Sequence, residues 1–434
     1  MVAFLLPLQL PAPLHTRPLP HHRPPVAVAM ASASTSDSPN PIVLGCGAAS
    51  VDYLATVASF PNPDDKIRSL ALKVQGGGNT GNALTAAARL GLRPRIISKV
   101  SNDAQGRNIL KELQDDGIDT SYMLVAEDGN SPFTYIIVDN QTKTRTCIHT
   151  PGYPPLLPEE LTKENLSAAL DGADMVYFDV RLHETALIVA EEASRRKIPI
   201  FIDAEKKREG LDELLNFATY VVCSAKFPQA WTGASSTPVA LVSMLLRLPK
   251  IKFVIVTLGE KGCLMLERST IDASEADKID IEALLESLEK KVDQSSTTPN
   301  CITSKANLRI SADGVGSING RLLLGTAEVI PPDELIDTTG AGDAFIGAVL
   351  YGLCTGMPPE RMLPFASQVH SMVAVYAKFA GRLRLQRFGG SEQPSSSHRP
   401  TSGGLLINKV QGGHRERETT ADRGYLVFAK LLSS

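Results

Sequence analysis

A chain of 434 residues with 43% hydrophobic, 21% charged and 5% aromatic content holds enough apolar mass for one large core or two modest ones. Its formal net charge of −3 argues against both the basic excess of a nucleic-acid binder and the acidic excess of a wholly disordered chain. No apolar run reaches the roughly 18–20 residues that span a bilayer, so no membrane partner is expected. The six cysteines are scattered without a CxxC pair or a Cys/His cluster, which speaks against a disulfide scaffold or a structural zinc site and for a reducing compartment.

Residues 1–38 are rich in Pro, Ala, Ser and Leu and carry no acid before Asp37, while Pro20, Pro24 and Pro25 deny them a continuous helix. That composition fits a plastid transit peptide, the alternative being a disordered tail with cytoplasmic translation starting at Met30. Folded structure is expected from Ile42-Val43-Leu44-Gly45, a short apolar strand closed by a glycine turn. An Ala-rich helix over Ala83–Leu90 stops at Gly91. Strand-like runs follow at Arg95–Val100, Phe133–Val138, Met175–Phe178, Ile198–Ile202, Tyr220–Val222 and Phe253–Thr257. Helical stretches lie among them at Asn108–Asp115, His183–Arg195 and Val239–Leu248. This alternation predicts an α/β fold with a mostly parallel sheet covered on both faces. Parts of 52–75 and 130–150 read as antiparallel strands of a small lid. Residues 269–318, charged and then Ser/Thr-rich, read as an exposed insertion with one amphipathic helix. One folded domain is expected over 39–369, and 370–434 reads as an atypical, largely disordered tail.

The segment Asp337-Thr-Thr-Gly340-Ala341-Gly342-Asp343 runs straight into the apolar helix AFIGAVLYGL. Bare backbone at a helix N-terminus favours an anion through its free N–H groups and its dipole. A carboxylate at that spot, Asp343, would repel the anion unless it serves to accept a proton from a hydroxyl attacking a phosphoryl group. A capping acid is the plain alternative, and the surrounding TTGAG weighs against it.

DTTGAGDAFIGAVL resembles the C-terminal signature of the ribokinase-like (PfkB) carbohydrate kinases. Gly76-Gly-Gly-Asn79-Thr-Gly-Asn82-Ala-Leu-Thr-Ala-Ala-Ala-Arg-Leu-Gly91 resembles the N-terminal one. In motif detail the likeness is to the ketohexokinase, or fructokinase, branch, through Val51-Asp52, Phe60–Arg68, Asp203–Leu211 and Val222–Lys226. The resemblance implies a three-layer α/β/α sandwich with a mostly parallel central sheet and a small β lid. It implies an ATP- and Mg²⁺-dependent enzyme phosphorylating a sugar hydroxyl, of fructose or a similar monosaccharide. Carried over by motif position, Asp343 would be the general base and Gly340, Ala341 and Gly342 the anion hole. Asp52, Gly78, Asn79 and Asn82 would hold sugar hydroxyls. Thr257, Gly259 and Gly262, with Lys226, would face the nucleotide, and Asp64 would lie on a lid strand reaching a neighbouring subunit's sugar in a homodimer. No protein ligand set for the metal is visible. Ser224 and Phe227 stand where many relatives have Asn and Glu, and the residues from His370 onward depart from the family's Ala/Gly/Cys-rich continuation.

Each residue also has a plain reading. Asp52 closes an Asx turn, Asn79 and Asn82 cap a helix, Thr257 and Gly259 form a turn, Lys226 and Arg145 are solvated surface cations, and His149 and His183 are structural. Gly45-Cys-Gly47-Ala-Ala-Ser50 lacks the third glycine of a dinucleotide fingerprint, and no GxxxxGK[ST] or GxSxG occurs. A kinase-fold protein with little turnover, acting as a binding or assembly partner, is the alternative function.

Overall fold

The computed structural model describes residues 40–142, 144–271, 278–331, 334–335 and 338–376. The leader expected over 1–38, the tail beyond 376 and Asp337 therefore lie outside the described residues.

The described residues open on β1 (Ile42–Cys46), buried from Val43 on, and turn into β2 (Ser50–Val57) and β3 (Ala71–Gly77). Helix α1 (Asn79–Leu90) follows and ends on Gly91 in the left-handed region (φ 112°), where the Gly91 amide closes onto the last-turn carbonyls. Next come β4 (Arg93–Ser101), α2 (Ala104–Asp115), β5 (Met123–Ala126), β6 (Phe133–Asp139) and β7 (Arg145–Thr150). The central run alternates α3 (Lys163–Leu170), β8 (Met175–Phe178), α4 (His183–Arg195), β9 (Ile200–Ala204), α5 (Leu211–Leu215) and β10 (Tyr220–Cys223). It continues through α6 (Phe227–Thr232), α7 (Thr237–Arg247), β11 (Phe253–Thr257) and β12 (Cys263–Arg268). Then follow β13 (Lys278–Asp280), α8 (Ile281–Glu289), β14 (Cys301–Thr303), β15 (Leu308–Ala312), β16 (Gly316–Gly325), α9 (Ala341–Cys354) and α10 (Pro359–Tyr376).

The main sheet is ordered β13-β15-β16-β12-β11-β10-β9-β8-β1-β4-β5, with β14 on β16. From β11 to β5 every pairing is parallel. Its buried strands carry near-continuous apolar runs such as Met175–Phe178, as a sheet covered on both faces requires. Two apolar clusters line the two faces. One gathers α3, α4 and α7 around Phe178, Ile202 and Leu245, and the other gathers α1, α9 and α10 around Tyr177, Phe201 and Leu350. The α/β/α sandwich expected from the sequence is therefore present.

The lid is a separate sheet, β3-β2-β6-β7. Cross-strand register places Gln75, Asp52, Thr134 and His149 in one row, and Val74, Tyr53, Tyr135 and Ile148 in the next. Successive residues point to opposite faces. The Asp52 face also carries Leu54 and Ile136, both buried, so it is the inner one, whereas Val74, Tyr135 and Ile148 are exposed.

Residues 269–318 correct the expectation of an excursion holding only a helix. The helix exists as α8, with Ile281, Leu284 and Leu288 buried, but β13, β14 and β15 extend the main sheet through β16. Strands of three to five residues are too short for their alternation to register in sequence. The expected 369/370 boundary likewise falls inside α10, which runs unbroken through His370 to Tyr376.

Candidate active site

The C-terminal ends of the parallel strands form the edge where open α/β sheets bind ligands. Asp179, Asp203, Ser224 and Thr257 follow or end β8, β9, β10 and β11 there. Helix α9 brings Asp343 to the same edge from above. Its N-cap is Gly340 in the left-handed region (φ 79°), which lets the chain turn sharply into the helix, and Asp343 lies in the first turn. Beyond Gly342 a side chain would meet open space, so the first-turn amides face a clear approach.

Asp343 is held from α1. Asn82 Nδ2 donates to Asp343 Oδ2 at 2.7 Å. The two helices approach this closely because α9 presents Gly347. A Cβ there would stand 2.6 Å from the Ala83 carbonyl oxygen and from the Ala86 methyl. The glycine-rich entry to α1 is equally tight. A Cβ on Gly77 would fall 2.1 Å from Asp52 Oδ1, and one on Gly78 (φ 82°) would fall 2.5 Å from the Ala48 carbonyl. Asp52, 5% exposed, is thus flush against bare backbone. Behind this segment Glu112 accepts from the Gly76 amide at 2.9 Å, at the wall of a cavity of about 250 Å³ that also reaches Asn82 and Gly340.

Beneath Asp343 lie two further carboxyls. Asp179, buried, accepts from the amides of Ala48 (2.8 Å), Thr80 (3.2 Å) and Arg181 (3.0 Å). Burial raises its pKa, and those donors oppose the rise. Asp203 is raised well above the ordinary carboxyl value, first by burial and then by the charges of Asp343, Asp179 and Glu205, against a hydrogen bond from Asn79. The fully buried Tyr177 hydroxyl lies close to Thr80 Oγ1, with no well-aligned hydrogen bond for either. Val180, between Asp179 and Arg181, is held at φ 59°. A β-branched residue in the left-handed region costs on the order of 1–3 kcal/mol, a strain that concentrates at functional sites.

The site residues expected from sequence fall into three groups. Asp52, Gly78, Asn79, Asn82, Gly340, Ala341, Gly342 and Asp343 converge at one end of α1 and α9. Thr257, Gly259 and Gly262 form the β11–β12 turn farther along the same sheet edge. There Gly259 and Gly262 take positive φ, Gly262 is pressed against the Gly325 carbonyl, and Thr257 donates to the Cys223 carbonyl at 3.3 Å. Lys226 is exposed at the start of α6. Asp64 is different: it stands exposed in the loop between β2 and β3 (φ 67°) rather than on a lid strand.

Sequence reasoning missed several others. Arg145 is not merely a surface cation, since its Nη1 donates to Thr338 Oγ1 at 2.5 Å and ties lid strand β7 to the loop before α9. His149, on the inner lid face, sits within electrostatic reach of Arg181 and Arg208. The His370 ring faces the Ala341 carbonyl, and burial lowers its pKa. The Glu328 carboxyl is raised by burial, and the Ser371 hydroxyl beside it donates to the Ser367 carbonyl at 3.0 Å. These last two place α10 beside the approach of α9. Among the described residues no group of three His, Cys, Asp or Glu side chains is arranged to hold a metal.

Residues 43–280 and 322–378 match the model of the pfkB family carbohydrate kinases, spanning both glycine-rich segments and the Asn82–Asp343 pair. The chain belongs to that family. The match runs past His370, and the residues between its two stretches include α8, β14 and β15. Ketohexokinase of Mus musculus is 22% identical over 335 residues, covering 75% of this chain and 94% of that protein. Ribokinase of the same species is 21% identical over 72% of this chain and 81% of its own length. Guanosine-inosine kinase of Exiguobacterium acetylicum is 24% identical over 68% and 82%. Among solved structures, Arabidopsis thaliana ribokinase complexed with ribose and ATP superposes with a TM-score of 0.54 at 18% identity, covering 78% of this chain and 93% of that one. Giardia lamblia ribokinase gives 0.56 at 16% identity with the same coverage. As a pfkB family member the protein is a carbohydrate kinase, and its fold is the ribokinase fold.

Proposed function

We propose that this kinase transfers the γ-phosphoryl group of ATP to a hydroxyl of fructose or a similar monosaccharide, with Asp343 as the base. The observation that carries the reading is the hydrogen bond from Asn82 to Asp343 at the N-terminus of α9, which puts a proton acceptor beside an anion site. Asp343 takes the proton of the sugar hydroxyl as its oxygen bonds to the γ-phosphorus. The bond from that phosphorus to the β–γ bridging oxygen breaks, and ADP leaves with the electron pair. A positioned base contributes about 10²–10⁴-fold. The amides of Gly340–Gly342 stabilise charge on the migrating phosphoryl group. Asp52, Asn79 and Asn82 offer the paired acceptors and donors that neighbouring hydroxyls need. Thr257, Gly259, Gly262 and Lys226 would flank the nucleotide. Mg²⁺ would arrive with the ATP phosphates and neutralise part of their charge, with water completing its shell.

Two further parts of the reading rest on the chain itself. The exposed Val74, Tyr135 and Ile148 on the outer lid face support a homodimer through the lid, with Asp64 near the neighbouring subunit's site. Residues 1–38, Ser- and Pro-rich with no acid before Asp37, support delivery to a plastid, tested by following a fluorescent fusion with and without them.

The deciding experiment is ADP release with ATP, Mg²⁺ and a panel of sugars, beside Asp343→Asn. Sugar-dependent turnover that falls about 10²–10⁴-fold in the variant is expected. A folded protein with no turnover on any acceptor would instead be a kinase-fold binding partner.

A further inference from the structure

The cavity of about 250 Å³ beside α1 has an apolar floor drawn from three helices: Ala86 of α1, Ile109 and Leu113 of α2, and Val373 of α10, each buried. It is larger than the roughly 150 Å³ that takes a benzene ring, so aliphatic side chains fit it. Its rim is charged. At the C-terminal end of α2, Asp115 pairs with Lys111 at 2.6 Å, and Asp116 accepts from Arg89 Nη2 on both oxygens, at 2.8 and 3.1 Å. Glu112, exposed between them, differs: among the described residues it accepts the Gly76 amide at 2.9 Å and forms no ion pair. A carboxylate has room for about four donors, so Glu112 can take a cation without releasing Gly76. Lys73, also at the rim, is exposed and has a contact of its own. Gln75 in the wall carries a buried Nε2 with no hydrogen-bond partner, a donor that a backbone carbonyl would satisfy.

The chain itself carries a complement to this surface. Residues 381–388 read Gly-Arg-Leu-Arg-Leu-Gln-Arg-Phe, with cations at Arg382, Arg384 and Arg387 and apolar side chains at Leu383, Leu385 and Phe388. Cation and leucine alternate over Arg382–Leu385, the period-two pattern that in an extended segment turns apolar side chains one way and charges the other. No acidic residue occurs from Arg361 to Ser391, so these arginines have no counter-ion nearby in sequence. The family match stops at 378, and the segment lies beyond it.

The tether between the two is short. Val373 stands in the cavity wall one turn before Tyr376, and Arg382 follows Tyr376 by a stretch of chain that spans up to about 20 Å. A short tether holds a segment at an effective concentration on the order of millimolar. A segment whose free form binds with a Kd of about 0.1 mM is then docked about ten times out of eleven. That advantage favours the chain's own segment over a peptide arriving from solution.

We infer that the segment Arg382–Phe388 docks in this cavity, with Leu383 and Leu385 on the apolar floor and an arginine against Glu112. The guanidinium fork suits a carboxylate that has one oxygen to spare. Glu112 also holds the Gly76 amide, and Gly76 lacks the Cβ that would stand 2.9 Å from that carboxylate. Docking therefore ties the C-terminal part of the chain to the glycine-rich entry of α1. It is independent of which hydroxyl the kinase phosphorylates.

Hydrogen exchange on the full chain tests this, read over α2 and the 76–82 segment, with β9 and β10 as the control for intact folding. One variant combines Arg382→Gln, Arg384→Gln and Arg387→Gln, and a second combines Leu383→Ser, Leu385→Ser and Phe388→Ser. Each should speed exchange in α2 and at Gly76 by up to about tenfold, the docked-to-free ratio lost, while β9 and β10 stay unchanged. A synthetic peptide of residues 379–390 at about 1 mM should restore the protection. Glu112→Gln keeps an oxygen for the Gly76 amide but loses the charge, and should reproduce the arginine variant. Glu112→Lys should lose protection, and joining it to Arg382→Glu, Arg384→Glu and Arg387→Glu should recover it. Exchange equal to that of the parent chain in these variants overturns the proposal, as does lost protection that the peptide does not restore. Should a triple variant unfold, seen as faster exchange in β9 and β10, Glu112→Gln decides alone, and parent-like protection there overturns the docking. Protection that falls when the parent chain is diluted marks a segment donated by a second copy, and overturns docking within one chain.

Discussion

Asn82 and Asp343, 261 residues apart in sequence, meet through a 2.7 Å hydrogen bond across the α1–α9 contact. That bond joins the two glycine-rich segments into one site. It orients the carboxylate, and Asn82 keeps its amide oxygen for a further partner. Asn82→Ala should therefore lower kcat/KM by about 10–100-fold, as loss of a hydrogen bond to a charged group does, while the melting temperature moves little. Asp343→Asn should cost more. The double variant should be about as slow as Asp343→Asn alone, because the two act as a unit. Steady-state kinetics on the four proteins checks this, and strict additivity would show that the contact does not position the base.

Gly347 is the position where backbone contact decides the outcome. Alanine would improve helix propensity by about 1 kcal/mol, but its methyl would stand 2.6 Å from the Ala83 carbonyl, and overpacking costs about 1–3 kcal/mol. The clash should win. Gly347→Ala should lower stability by about 1 kcal/mol in denaturant unfolding and should also slow turnover by shifting Asp343 from Asn82. Gly342→Ala meets open space and should not destabilise, yet its methyl would intrude where the phosphoryl group approaches and reduce kcat.

The Arg145–Thr338 bond ties the lid to the anion loop. Arg145→Gln should raise KM for the acceptor and lower kcat together, by about tenfold overall, as losses of a charged hydrogen bond do. Thr338→Val should reproduce the effect. A normal enzyme from either variant would mean that this contact does not govern closure.

Asp203 should trade stability for function. Its folded pKa is raised by burial and by Asp343, Asp179 and Glu205, so the folded state binds the proton more tightly than the unfolded chain. The resulting penalty is absent well below the ordinary carboxyl pKa, where both states are protonated. It grows as pH rises and is fully present above the raised folded pKa. Asp203→Asn should therefore raise the melting temperature by a few degrees at neutral pH, and the gain should fade towards pH 4. The same variant should be slower if the carboxyl contributes to the site. A stabilisation independent of pH would point to packing instead.

Much of this protein is written locally in the chain. Gly340-Ala341-Gly342-Asp343 before an apolar helix, and Gly76–Asn82 before an Ala-rich one, are legible because a glycine turn and a helix N-terminus depend on neighbouring residues alone. The buried strands of the parallel sheet are legible for a similar reason, since burial on both faces demands continuous apolar runs such as Phe253–Thr257. The short strands after residue 269 were hidden because three residues show no period. The companions of the site were hidden because each is an ordinary surface residue by type. Arg145, His149, Arg181, Glu205 and Arg208 acquire meaning only when strand register turns the lid's Asp52 face inward and the β8 and β9 loops pack side by side. His370, in a stretch that reads as foreign to the family, faces Ala341 only because α10 packs against α9. Local chain chemistry determined where an anion and a base could sit. Tertiary packing decided what surrounds them, because charges brought together from distant segments carry no signature in sequence spacing.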